Sequence, residues 1–151
     1  MALNELDDLY REAILDHSRN PRNSDKVVDA DITADAINPF CGDEIHLQIS
    51  LNDRSRVEHV GIQGEGCSIN QATGSMITKA INGKTLDEVE AVSSLFKSMM
   101  RGHSPTAEEV AELGELETLS SVRHFPVRIK CALLAWSALD DGIEEYRKGC
   151  K

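Results

Sequence analysis

The sequence is poor in aromatic residues: one tryptophan, two tyrosines and three phenylalanines among 151 residues. Its core therefore has to be built mainly from Leu, Ile, Val and Ala, packed closely. Long apolar runs are missing too, and no stretch approaches the ~20 residues that cross a bilayer. Positive charge is in deficit, with 16 Lys and Arg against 26 Asp and Glu and a formal net charge of −10. A surface that acidic repels phosphate backbones and anionic lipid heads. Nucleic acid and membrane are excluded as expected partners, and a basic protein or a cation is favoured. The opening residues, Met1 to Asp8, are acidic and have no apolar segment of the kind found in secretory signals. A cytoplasmic location is the expectation. There is no C-x-x-C pair, no internal repeat and no Gly/Ser linker. One domain over 1–151, long enough to bury a core, is expected.

What is present changes period along the chain. Leu3, Leu6, Tyr10, Ile14 and His17 recur at helical steps, and Pro21 closes that stretch. From Val27 to Gly66 the chain reads as extended. Val27, Val28, Ile32 and Ile37 come first. Ile45, Leu47, Ile49 and Leu51 then alternate with polar residues, as in a strand with one buried face. Asn52-Asp53 marks a turn, and Val57, Val60 and Ile62 suggest a third strand. Short connections favour an antiparallel meander.

Helical spacing follows. Ser68-Ile69-Asn70-Gln71 reads as a capping box opening one helix, and Thr85-Leu86-Asp87-Glu88 as a second. Gly83 suits a helix C-terminus. Residues 101–119 are rich in Glu, are broken by Gly102 and Pro105, and read as an exposed excursion in which Thr106 caps a short helix. Pro126 suits the first position of a last helix. That helix carries Ile129, Leu133, Trp136, Leu139, Ile143 and Tyr146, and is expected to be the central packing element. The fold class is α+β: a small antiparallel sheet of about three strands against several helices.

The four cysteines are Cys41, Cys67, Cys131 and Cys150. In a reducing compartment they are metal ligands, reactive thiols or small buried hydrophobes. Asn38-Pro39-Phe40-Cys41-Gly42-Asp43 puts a thiol and a carboxylate two residues apart, which suggests a cation, yet its residue types also make an ordinary turn. Gly64-Glu65-Gly66-Cys67-Ser68 puts a thiol at a helix N-terminus, where the dipole favours thiolate; a buried cysteine in a tight turn is the other reading. Arg128 precedes Cys131 by three residues and can neighbour it on one helix face. Spacing alone does not show whether these segments meet. The five histidines suggest little; His46 is expected to face solvent, and His124, two turns before Cys131, is read as an ordinary residue in preference to a member of the site.

These three cysteine segments, in this order, resemble the U-type iron–sulfur assembly proteins, the family of the NifU N-terminal domain and of IscU. The resemblance covers nearly the whole chain and includes His17 to Asn23. IscU-type scaffolds usually carry a histidine immediately before the third cysteine and have no insertion between the second and third. Here Lys130 occupies that position and an insertion lies near 102–119. Both features resemble the SufU branch of zinc-dependent sulfurtransferases. The resemblance implies a SufE/NifU-like fold and Zn²⁺ on Cys41, Asp43, Cys67 and Cys131. It implies sulfur acceptance at Cys41, with Arg128 supporting the thiolate. The implied donor is a SufS-type cysteine desulfurase, which holds its own pyridoxal phosphate and lends a histidine that replaces Cys41 on zinc. A SufBCD-type scaffold lies downstream. The alternative is a scaffold that assembles a [2Fe–2S] cluster on the same cysteines.

Overall fold

The computed structural model describes residues 12–38 and 42–149. Residues 12–19 form a helix, α1, which gives way to a turn at Asn20 and Pro21. Three strands follow: β1 (Ile32–Asn38), β2 (Asp43–Leu51) and β3 (Val57–Glu65). They pair antiparallel in the order β1-β2-β3, the expected meander. Val27 and Val28 do not join it: Val28 is 82% exposed and the first strand begins at Ile32. The alternation in β2 does what its period demands. Ile45, Leu47 and Ile49 are buried, in register with Ala36, Ala34 and Ile32 on β1 and with Gly64, Ile62 and Val60 on β3. The edge of β3 is covered by the preceding loop, since Ile62 N–H donates to the Asn23 carbonyl at 3.0 Å.

Helices α2 (Ser68–Ile81) and α5 (Pro126–Gly149) close over the apolar face, α3 (Leu86–Met100) packs on α5, and α4 (Ala107–Leu113) packs on α3. Thr85 and Thr106 start α3 and α4 with complete capping boxes. α5 lies against β1, β2, α2 and α3, which makes it the central element. Gly142 permits this: a methyl there would sit 3.0 Å from Ile32 and 3.1 Å from Ala34. Trp136 of α5 is fully buried against Phe96 of α3, with ring centroids 5.6 Å apart. Two of the sequence's six aromatic residues thus meet at the centre, and aliphatic side chains fill most of the rest.

The insertion departs from expectation. Gly114–His124 forms an eleven-residue 3-10 helix, and it is not an excursion. Leu113, Leu116, Leu119 and Val122 are buried. Their spacing of three matches the ~3.0 residues per turn of a 3-10 helix, in which side chains three apart eclipse. The glutamates between them hid that stripe from a search for helical or alternating periods. Residues 101–112 fit the expected exposure, and Leu113 is the one buried residue of α4.

Glu115 ties this segment to the body. Its carboxylate accepts from buried His17 Nε2 at 2.9 Å and from Lys79 at 2.6 Å. His17 Nδ1 lies 2.7 Å from the buried Ser75 hydroxyl, which also accepts from the Arg22 N–H at 2.8 Å. Lys79, and then His17, hold the Glu115 carboxyl below its ordinary pKa of 4.5.

Two outcomes are expected. Leu119→Ala should cost about 2–5 kcal/mol in denaturant unfolding, as other buried leucines do. Because Glu115 has a depressed folded pKa, its contribution is complete above pH ~4.5 and is lost as pH falls through the lower folded value. Protection factors across 114–124, corrected for the intrinsic pH dependence of amide exchange, should therefore fall on acidification below ~4.5. In Glu115→Gln they should already be low at neutral pH.

Candidate metal centre

The ends of three elements converge beside the sheet. β2 starts at Asp43, immediately after Gly42, which has φ 72° and donates its N–H to the Asn38 carbonyl at 2.9 Å. β3 runs out at Glu65, and Gly66 and Cys67 lead into α2. Cys131 lies in the second turn of α5 and is fully buried.

Asp43 is 1% exposed, which no carboxylate tolerates without partners. Its Oδ1 accepts the Cys67 N–H at 3.0 Å, and its Oδ2 lies 3.7 Å from Cys67 Sγ. Cys67 is the N-cap of α2 and has no capping bond from its own side chain. Asp43 on β2 instead accepts the N-cap's own N–H, the part that an N3 side chain plays in a capping box. The expected capping box at Ser68 is therefore displaced: Ser68 is already helical, and the acceptor comes from β2. Gly66 makes the contact possible. Its φ is 143°, and a methyl there would stand 2.0 Å from Asp43 Oδ1.

Among the described residues, Asp43, Cys67 and Cys131 form one group whose ligand atoms all lie within 4.8 Å of one another. Neither cysteine is in a disulfide. Three acidic groups this close cannot all ionise unaided. Burial first, then Asp43 and Cys67, push the Cys131 thiol well above its ordinary range. Arg128 is exposed and answers the same charge: Cys67 first, and Cys131 after it, raise the guanidinium's pKa. Two sulfurs and one carboxylate oxygen around a point suit a borderline-soft dication in a tetrahedral site with a fourth position to fill. A bound cation would reverse the burden on Cys131, because a coordinated thiol is deprotonated.

Of the residues singled out from sequence, Asp43, Cys67 and Cys131 are brought together, with Arg128 beside them. Cys41 and Cys150 lie outside the described residues. His46 sits on the solvent face, 2.6 Å from Asp35, and Lys130 is exposed. His124 does not join the metal group; it lines a groove with Arg128. Asn70 escaped the sequence reading. It is fully buried on α2, and its amide donates to the carbonyls of Glu44 and Glu65, both at 3.3 Å. It therefore anchors the head of α2 to β2, the strand that carries Asp43, and to its neighbour β3. A polar residue one turn ahead of buried Thr73 and two ahead of Ile77 was the available signal.

The sequence matches the family described as the NifU-like N terminal domain over residues 9–151. The chain belongs to that family. Among relatives of this NifU-like domain is the zinc-dependent sulfurtransferase SufU of Bacillus subtilis, 44% identical over 144 residues, which are 95% of each chain. Another is the iron–sulfur cluster assembly scaffold protein IscU of Streptococcus pyogenes, 39% identical over 95% of this chain and 88% of that one. A solved structure from Fervidobacterium islandicum, described as a scaffold protein for the SUF system, superposes with a TM-score of 0.80. It is 30% identical and covers 87% of this chain and 93% of that one. The three-stranded α+β architecture is shared with a nitrogen-fixing NifU-like N-terminal structure from Brucella abortus, TM-score 0.81 at 22% identity.

Gly66→Ala should abolish stoichiometric zinc uptake while leaving the far-ultraviolet circular dichroism nearly intact. Gly83→Ala is the control, since Gly83 also has positive φ but a methyl there meets nothing within 4 Å. It should bind zinc like the parent. Equal zinc loss in both would mean that backbone strain, and not the Asp43 contact, governs the site.

Proposed function

We infer that this chain works in iron–sulfur cluster assembly as a zinc-dependent sulfurtransferase, and that Cys41 accepts sulfur from a SufS-type cysteine desulfurase. The observation that carries this reading is the convergence of Asp43, Cys67 and Cys131 at the head of α2. Cys41 stands two residues before Asp43 in the sequence and completes the proposed ligand set. Zinc, when bound there, supplies the charge that keeps these thiols deprotonated at neutral pH. The relative named a zinc-dependent sulfurtransferase supports the assignment. So does Lys130, a protonated amine where a scaffold offers imidazole.

In the transfer, the Cys41 thiolate attacks the outer sulfur of the donor's persulfide. The donor's sulfur–sulfur bond breaks, its cysteine leaves as thiolate, and Cys41 carries the persulfide. Arg128 offsets negative charge at the cluster while this happens. Asp43, held by the Cys67 N–H, keeps the neighbouring donors in place. Pyridoxal phosphate belongs to the desulfurase, and a SufBCD-type scaffold is the downstream partner. The chain acts as one domain in the cytoplasm. No helix among the described residues is long and apolar enough to cross a membrane.

A second reading has support in the relatives named IscU scaffolds: the same cysteines would assemble a [2Fe–2S] cluster as cargo. Anaerobic incubation with iron and sulfide separates the two. A carrier leaves no stable visible chromophore, whereas a scaffold does.

Metal analysis of the purified protein should give one zinc per chain, and the protein should raise desulfurase turnover. Cys41→Ala should keep the circular dichroism of the parent and lose sulfur acceptance. If that variant stimulated the desulfurase like the parent, Cys41 would not be the acceptor. Lys130→Ala should retain zinc, and Cys131→Ala should lose it.

A further inference from the structure

A groove of about 480 Å³ opens beside the cluster, between α1, the head of α2, the end of the 3-10 helix and the start of α5. Ile14, Ile69 and Val122 give it an apolar wall. Phe125, 62% exposed, stands at its mouth. Its polar side chains are Ser68, Ser121, His124 and Arg128: Arg128 is a cation, Ser68 and His124 can donate hydrogen bonds, and none of the described residues lining it is acidic. In a chain with 26 carboxylates and a net charge of −10, a recess free of them goes against the trend of the whole surface. One end of the recess is the sulfur centre itself, because Ser68 directly follows Cys67 and Arg128, which lines the recess, stands near enough to Cys67 and Cys131 for them to raise the pKa of its guanidinium. The volume lies in the range of small-molecule sites, roughly 300–1,000 Å³, and their usual build is likewise an apolar wall with a few placed polar groups.

We propose that this groove binds a small thiol bearing a carboxylate, and that this thiol is an acceptor for the sulfur carried by the protein. The assignment of the ligand as acceptor rests on the sulfur-carrier reading above; the binding site itself does not. Charge complementarity selects the class: the carboxylate meets Arg128 and His124, the apolar body covers Phe125, and the thiol is left towards the cysteines. In the step, the ligand's thiolate attacks the outer sulfur of the protein persulfide. A new sulfur–sulfur bond forms on the ligand while the protein's breaks, and the electron pair returns to the cysteine as thiolate. The proton released when the ligand thiol ionised goes to solvent. The ligand departs as a persulfide with no net oxidation, so no further reagent is needed.

The test uses the zinc-loaded full chain and two probes that keep the carboxylates but cannot react, S-methylcysteine and S-methylglutathione, titrated by calorimetry. At least one should bind. Phe125→Ala and His124→Glu, both at exposed positions outside the metal group, should each weaken it tenfold or more with zinc content unchanged. With persulfidated protein, glutathione or cysteine should remove labelled sulfur faster than 2-mercaptoethanol at equal thiolate concentration, and that advantage should vanish in both variants. Failure of both probes to bind, or binding untouched by both variants, overturns the site. Binding as expected with no preference for the carboxylated thiols leaves the site standing and overturns the acceptor role. If no persulfide ever forms on the chain, the sulfur-carrier reading falls and the acceptor role with it, while the titrations still decide the groove.

Discussion

One contact organises the centre: the buried Asp43 carboxylate pressed against Gly66 and bonded to the first free N–H of α2. A carboxylate excluded from water needs donors or a cation, and a helix N-terminus offers both a donor and a favourable field. Asp43 takes the donor with one oxygen, which leaves the other directed at the thiols. The side chain bonded to the head of α2 and the proposed metal ligand are therefore the same. Strand β2 cannot shift against α2 without disturbing the centre, and the centre cannot be emptied of its carboxylate without releasing the head of the helix. Asn70 reinforces this from the first turn of α2 by bonding a carbonyl of β2 and one of β3.

The third donor comes by a longer route. Cys131 is placed by α5, whose position depends on Gly142 lying against β1 and on the Phe96–Trp136 pair. The 3-10 helix leads directly into α5 through Phe125 and Pro126, and Glu115 holds that helix to α1 and α2 through His17 and Lys79. The insertion thus belongs to the frame of the site. The groove beside the thiols owes one wall to it.

Much of this was readable from residue pattern. The alternation of β2, the capping boxes at Thr85 and Thr106 and the proline at the head of α5 each correspond to a single physical rule, and each stands where that rule puts it. The misreadings share a cause. Val27 and Val28 are β-branched, yet the loop they belong to runs over the edge of β3 and leaves Val28 in water. Ser68 looked like a cap because a cap is normally local in sequence; here the acceptor comes from 24 residues away. The 3-10 stripe was missed because its period is neither 2 nor 3.6. The convergence of Asp43, Cys67 and Cys131 was not legible from spacing at all. It became an expectation only through family resemblance, since tertiary structure alone sets the distance between segments so far apart.

The period of the 3-10 helix restricts how this part of the chain can vary in length. At ~3.0 residues per turn, adding or removing one residue rotates everything beyond it by about 120°. Leu119 and Val122 would leave the core, and polar neighbours would take their places. Only a change of three residues restores the stripe, and it moves the far end by about 6 Å at the ~2.0 Å rise per residue of this helix. The segment therefore behaves as a spacer with coarse, discrete settings, and its eleven residues are one of few lengths that deliver Phe125, Arg128 and Cys131 to the same edge of the sheet.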